Sequence, residues 1–232
     1  MIVAAAVCPW PPVLVRDLTG RDPVVPGLRR AAEQAVRRVV QSEPQVIVVV
    51  GAAQVTREWP PGCRLNLSVF APTLQSACDP ALPPSLGVGA TLLDLAGYSG
   101  RRILQAVAED EPVAGCASLG QTISRTASRV GLLAMGDGSA RRGPKAPGYF
   151  DERAVAFDAG TEQALRRGEL DALLAISPGM ATELMATGRP AWQVLAGAMS
   201  PATPVTDVLY ADDPFGVAYL VAYLQPSPAG AT

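Results

Sequence analysis

No histidine occurs among the 232 residues. That absence removes both the commonest general base near neutral pH and the commonest transition-metal ligand. Ser-His-Asp and Cys-His catalysis, an iron site of two histidines and one carboxylate, and the usual zinc hydrolase sites are excluded with it. Lysine is almost as scarce. Lys145 is the only one, and its arginine counterparts are interspersed with acidic residues to a formal net charge of -2. Such a surface carries no footprint for nucleic acid or for an anionic membrane. The four cysteines, Cys8, Cys63, Cys78 and Cys116, include no C-x-x-C pair, which argues against a zinc ribbon and for reduced thiols. No apolar run approaches the roughly 20 residues needed to span a bilayer. The start, Met1 to Val7, has no basic flank and is too short before Cys8-Pro9 to serve as a secretory signal. A cytoplasmic protein is expected.

What is present is aliphatic. The chain is long enough to bury one sizeable core without disulfide or metal staples, and one domain over residues 1–224 is expected. The Pro/Ala/Gly tail over 225–232 reads as disordered. Val3 to Val7 reads as a buried first strand. From Gly27, the residues Leu28, Ala31, Ala32, Ala35, Val36, Val39 and Val40 recur at helical spacing with arginines outward, up to Pro44. The run Val46-Ile47-Val48-Val49-Val50-Gly51 then reads as a central strand covered on both faces. Strand, helix and strand in this order predict a right-handed crossover and an α/β fold with a mixed, largely parallel sheet flanked by helices.

Trp59 to Pro84 reads as an irregular excursion or an edge hairpin, with a short strand at Leu65 to Phe70. Thr91 to Leu95 and Ile103 to Val107 look helical, and Gly115 to Leu119 looks like a short strand. Gly131 to Met135 is the next apolar strand, followed by a polar loop from Arg141 to Tyr149. Helices are expected at Phe157 to Arg167, closed by Gly168, and at Leu170 to Ala175, Met180 to Thr187 and Ala191 to Met199. A last strand pair is expected at Thr206 to Tyr210 and Val217 to Leu224.

Ligands of open α/β sheets gather beyond the carboxyl ends of the strands. Four stretches fall there: Cys8-Pro9-Trp10-Pro11-Pro12, Gly51-Ala52-Ala53-Gln54, Gly136-Asp137-Gly138-Ser139-Ala140 and Ala211-Asp212-Asp213-Pro214-Phe215-Gly216. The third is neither a P-loop, since its spacing and lysine are wrong, nor a nucleophile elbow, since no histidine exists to activate Ser139.

These stretches, with "MIVAAAVCPWPP", "QVIVVVGAAQ", "MGDGSARRGPKAPGYFDERAVAFD", "WQVLAGA" and "DDPFGVAYLVAY", resemble the class III extradiol ring-cleavage dioxygenase superfamily, B-subunit type, and its Memo-type relatives. The resemblance runs over nearly the whole chain. In that superfamily the first strand ends in a His followed closely by Pro, and the second in a Gly-Pro-x-His-like turn. A third His lies in a Gly-x-x-Ser-His-like loop, and a carboxylate or thiol lies near the C-terminus. Matched onto this sequence, the first position falls on Trp10, the second on Gln54, the base on Ala140, and the last on Asp213 or Asp212. Every histidine position is vacant, and an indole N–H donates but cannot bind iron.

The resemblance therefore implies a catalytically degenerate relative without a cofactor, binding a small molecule or a protein partner. Its family also makes a homodimer or a small partner subunit plausible. The candidate pocket residues are Trp10, Gln54, Asp137, Ser139 and Asp213. Each has a structural reading as well: Trp10 as a cap on the sheet, Gln54 as a loop-satisfying amide, Asp137 as a turn former bonded to its own backbone, and Asp212-Asp213 as solvated turn residues. The alternative is an active metal enzyme with Mg²⁺, Mn²⁺ or Ca²⁺ on an oxygen-rich site built from Asp137, Asp212 and Asp213, with or without Cys8. Arg141, Arg142 and Lys145 read as a solvated loop face or an anion-holding cluster.

Overall fold

Alternation of side chains along the buried strands decides the layering. In the computed structural model, which describes residues 1–19, 24–60, 63, 65 and 82–227, strand β1 (Ile2–Cys8) turns Ala4, Ala6 and Cys8 to one face and Ala5 and Val7 to the other. Both faces are buried, so β1 must be covered twice, and helices do so. Helix α1 (Arg16–Thr19) is a single turn; α2 (Pro26–Gln41) lays its apolar stripe of Leu28, Ala31, Ala32, Ala35, Val36 and Val39 over the first face. Strand β2 (Val46–Ala53) is the continuous valine-rich run, and β3 (Arg57–Trp59) is a short edge strand beside it in sequence. Helix α3 (Pro84–Leu95) joins α2 on the first face, and β4 (Arg101–Ala108) follows.

On the opposite face, α4 (Val113–Ser124) leads into β5 (Val130–Met135). After β5 come α5 (Arg153–Arg167), α6 (Leu170–Leu174), α7 (Pro178–Glu183) and α8 (Arg189–Met199), and α4, α5, α6 and α8 bury their apolar residues in the second core. The chain closes with β6 (Pro204–Asp212) and β7 (Tyr219–Pro226). The result is an α/β domain with one mixed seven-stranded sheet in the order β3-β4-β2-β5-β1-β7-β6, flanked by helices.

Strands β1, β2, β4 and β5 run parallel, while β7 runs antiparallel to β1 and β6 antiparallel to β7. Two reversals restore the direction, so β6 also ends at the edge where β1, β2, β4 and β5 end. That shared edge collects all four loop stretches singled out in the sequence.

Four expectations are corrected. Ile103 to Val107 is strand, not helix: Arg101 to Ala108 pairs with Val46 to Ala53 residue for residue, and the apolar spacing of this segment is compatible with either period. Gly115 to Leu119 is helix, not strand. Its small residues serve a close approach between α4 and α8: a Cβ on Gly120 would lie 2.1 Å from the Val194 carbonyl oxygen, and one on Gly197 would lie 2.4 Å from that of Ala117. The expected helix from Met180 to Thr187 stops at Glu183, because Met185 takes a left-handed φ of 56°. Strand β7 takes in Gln225 and Pro226 from the expected tail. Leu65 forms an isolated parallel bridge to Leu82; the remainder of the expected Leu65 to Phe70 strand, Cys78 and the tail after Ser227 lie outside the described residues. Among the described residues no helix is long and apolar enough to cross a membrane.

Candidate functional site

Proline stops β1 at Cys8 and swings the chain so that Trp10 stands over the neighbouring end of β5. Its backbone N–H donates to Oδ1 of Asp137 at 2.9 Å, across 127 residues of sequence, so Asp137 is not a turn residue satisfied by its own loop. The Trp10 indole N–H donates to the Thr187 hydroxyl at 3.3 Å. Thr187 lies in the short link left by the early end of α7. That link is clamped to the β5 loop by two backbone bonds: Gly188 N–H to the Asp137 carbonyl at 2.8 Å, and Ala140 N–H to the Leu184 carbonyl at 3.0 Å.

The two glycines around Asp137 are required by crowding. A Cβ on Gly136 would lie 2.2 Å from the Gly188 Cα, and one on Gly138 would lie 2.7 Å from Asp158 Oδ1 and 2.8 Å from the Ala218 Cβ. Close backbone approach from both sides thus holds Asp137 deep in the edge of the sheet.

Burial pushes the Asp137 carboxyl up to about 7, and the single Trp10 N–H only partly opposes it. No cation is among the groups that set this value, and among the described residues Oδ2 has no hydrogen-bond partner although the residue is part-exposed. The phenol of Tyr219, at the start of β7, lies within electrostatic reach of this carboxyl. Burial and the Asp137 charge hold Tyr219 protonated well above the usual tyrosine range.

Two residues further along the same loop, the chemistry is different. Ser139 is fully buried, with its N–H on Asp158 Oδ1 at 2.8 Å and its hydroxyl on Asp158 Oδ2 at 2.5 Å. Arg142 donates to Asp213 at 2.6 Å and stands 3.8 Å from Asp158. Arg142, Asp158 and Asp213, with Asp212, Ala218 and Tyr219, line a cleft of about 270 Å³. Asp212 is exposed and accepts the N–H of Asp213 at 2.8 Å, a local turn contact. Asp158 keeps a raised pKa because of burial, although its Ser139 bonds and Arg142 pull the other way.

The sequence candidates therefore separate into groups. Trp10 and Asp137 meet directly. Ser139 and Asp213 belong to the Asp158 and Arg142 cluster. Gln54 is exposed just beyond β2, and Ala140 is buried with its backbone used by the clamp. Of Trp10, Gln54, Asp137 and Asp213, expected to share one cavity, Trp10 and Asp137 are joined by a hydrogen bond, while the cleft that Asp213 lines has neither of them, nor Gln54, in its wall.

Asp137, Asp212 and Asp213 do not form the oxygen-rich group considered for a hard cation, and among the described residues no three His, Cys, Asp or Glu side chains form a group that could hold a metal ion. Burial lifts the Cys8 thiol to about 12. Of the loop cations, Arg141 donates to the Gly148 carbonyl at 2.5 Å and Arg142 to Asp213, so neither arginine is simply solvated.

Sequence reasoning missed four residues. Asp158 falls at helical spacing with Ala154, Thr161 and Leu165 on the buried stripe of α5, and a carboxylate on such a stripe was a readable sign. Tyr219 opens β7. Thr187 became visible only through the helix break. Arg189, 1% exposed, donates to the Glu111 carbonyl at 2.6 Å, to the Glu109 carbonyl and to Gln193 Oε1 at 3.0 Å, fastening the loop after β4 to the start of α8.

Architecture of this class is shared with a solved protein. The crystal structure of the uncharacterized protein JW3007 from Escherichia coli K12 is similar at a TM-score of 0.59 with 12% identity, over 96% of this chain and 99% of that one. At this identity the likeness is one of fold. No family model matches the chain, and no curated protein sequence matches it.

Proposed function

We propose that this chain is a divergent member of the class III extradiol dioxygenase superfamily that has given up the iron site and retains the carboxyl edge of its sheet as a small-molecule pocket. The observation that carries the reading is Asp137: a deep carboxyl group with one oxygen held by Trp10 and the other left for an incoming group. The sequence stretches that resemble the superfamily end strands of one direction, and the mixed seven-stranded sheet is the frame such a pocket needs.

Iron does not fit the donors at these positions. Trp10 offers an N–H already given to Thr187, Gln54 offers a weak amide oxygen, and Asp213 is engaged by Arg142. No oxygen-activating step is therefore assigned. The residues instead bind and orient: Asp137 as acceptor or donor near neutral pH, Thr187 fixing the indole, and Tyr219 as a neutral phenol.

Two measurements on the purified chain test the reading. With equimolar Fe(II) and protocatechuate, ring-cleavage product should not rise above that formed by Fe(II) alone. Catechol should shift the Trp10 indole N–H cross-peak, one of three indole signals in the ¹⁵N spectrum. Iron retained stoichiometrically through gel filtration, with turnover that disappears in Asp213→Ala, would overturn the proposal.

A further inference from the structure

The carboxylates at this end of the molecule differ in how they are compensated. Asp213 has Arg142 at 2.6 Å; Asp158 has both Ser139 donors and Arg142; Asp151 and Glu183 share Arg153 at 2.7 and 2.6 Å. Asp137 has one backbone N–H and no cation, although it is part-buried in the edge of the sheet. Its open oxygen shares the strand-end edge with Trp10, which packs against the same core cluster as Tyr219. A part-buried carboxyl group without a counter-ion, beside an indole and a phenol, is complementary to a ligand that brings a positive charge, N–H donors and an apolar body.

We propose that the strand-end edge at Asp137 binds small aromatic ammonium compounds, with the Asp137 carboxylate as counter-ion and Trp10 and Tyr219 as its aromatic neighbours. The proposal rests on the small-molecule reading above and narrows it to a ligand class. An anionic ligand would meet Asp137 without any basic group to offset the repulsion. A neutral ligand of the same shape would gain the aromatic contacts and lose the charge-assisted bond, a difference of about tenfold in affinity. A metal cation is a poorer complement, because the neighbouring indole and backbone groups present N–H rather than lone pairs.

Benzylamine, benzyl alcohol and benzoate form a matched set of probes, and the Trp10 indole cross-peak reports on the site. Benzylamine should bind about tenfold more tightly than benzyl alcohol at pH 8, and benzoate should bind least. Asp137→Asn keeps an oxygen for the Trp10 N–H and so keeps the fold, which its melting temperature checks; in this variant the preference for the amine should fall to within about twofold of the alcohol. Equal binding of amine and alcohol to the native chain would overturn the ammonium assignment while leaving the small-molecule reading intact. So would an amine preference that survives in Asp137→Asn. Failure of all three probes, and of catechol, to move the Trp10 signal would defeat both.

Discussion

Asp137 directly precedes Gly138 and Asp158 packs against that same glycine, yet the protein has prepared the two carboxyl groups in opposite ways. Asp158 comes from the buried stripe of α5 and gives both oxygens to Ser139, with Arg142 3.8 Å away. Asp137 gives one oxygen to Trp10 and keeps the other open. Burial raises both carboxyl groups, but only at Asp158 do a hydroxyl and a guanidinium oppose it. The Asp158 cluster is thus a structural joint that ties the β5 loop to α5 and to the end of β6. The Asp137 position lacks the partners that would make it another such joint, and incomplete compensation is the ground on which we propose it as the site.

The contrast predicts opposite responses to deletion. Asp158→Ala should leave the Ser139 N–H and hydroxyl buried without acceptors, costing about 3 kcal/mol, seen as a lower urea midpoint at pH 7. A loss below about 1 kcal/mol would mean that the cluster is not a joint. Asp137→Asn should instead be stabilising, and only at higher pH. In the folded chain the carboxyl group titrates near 7, against an ordinary value of 3.8. Between these two values the folded state holds a proton that the unfolded state has released, so native stability falls as pH rises through this window. Below pH 4 both states are protonated and the variant should match the native chain. At pH 8 it should be more stable by about 2 kcal/mol, or roughly 4–8 °C in melting temperature. A variant with the same advantage at pH 4 and pH 8 would sever the link to ionisation.

Much of the frame was legible because burial leaves a direct trace in sequence. The valine-rich run of β2 could only be a central strand, and the stripe of α2 could only be an amphipathic helix. The misread segments were those where two periods fit one pattern. Ile103, Leu104, Ala106 and Val107 suit a helix or a strand until β2 is there to pair with them. The small residues of α4 hid a helix because their purpose is a contact with α8 far along the chain.

The site was legible in half. Strand-end logic found Trp10 and Asp137, and the Gly-Asp-Gly stretch pointed to a tight backbone. It could not say that the crowding comes from Gly188 on one side and from Asp158 and Ala218 on the other. Nor could it separate Asp213 from Asp137, since a common sheet edge does not imply a common pocket: Arg142, a loop residue read as solvated, claims Asp213 for the neighbouring cluster. Thr187 was hidden by a left-handed Met185, which no helical periodicity announces.

The most direct test of the central claim is a ¹³C titration of the side-chain carboxyl signals, with Asp137→Asn identifying the resonance. Asp137 should titrate with a midpoint of about 7, against its ordinary value of 3.8. A midpoint near that ordinary value would show Asp137 to be solvated or already paired, and would contradict its assignment as the uncompensated carboxyl group of a binding site.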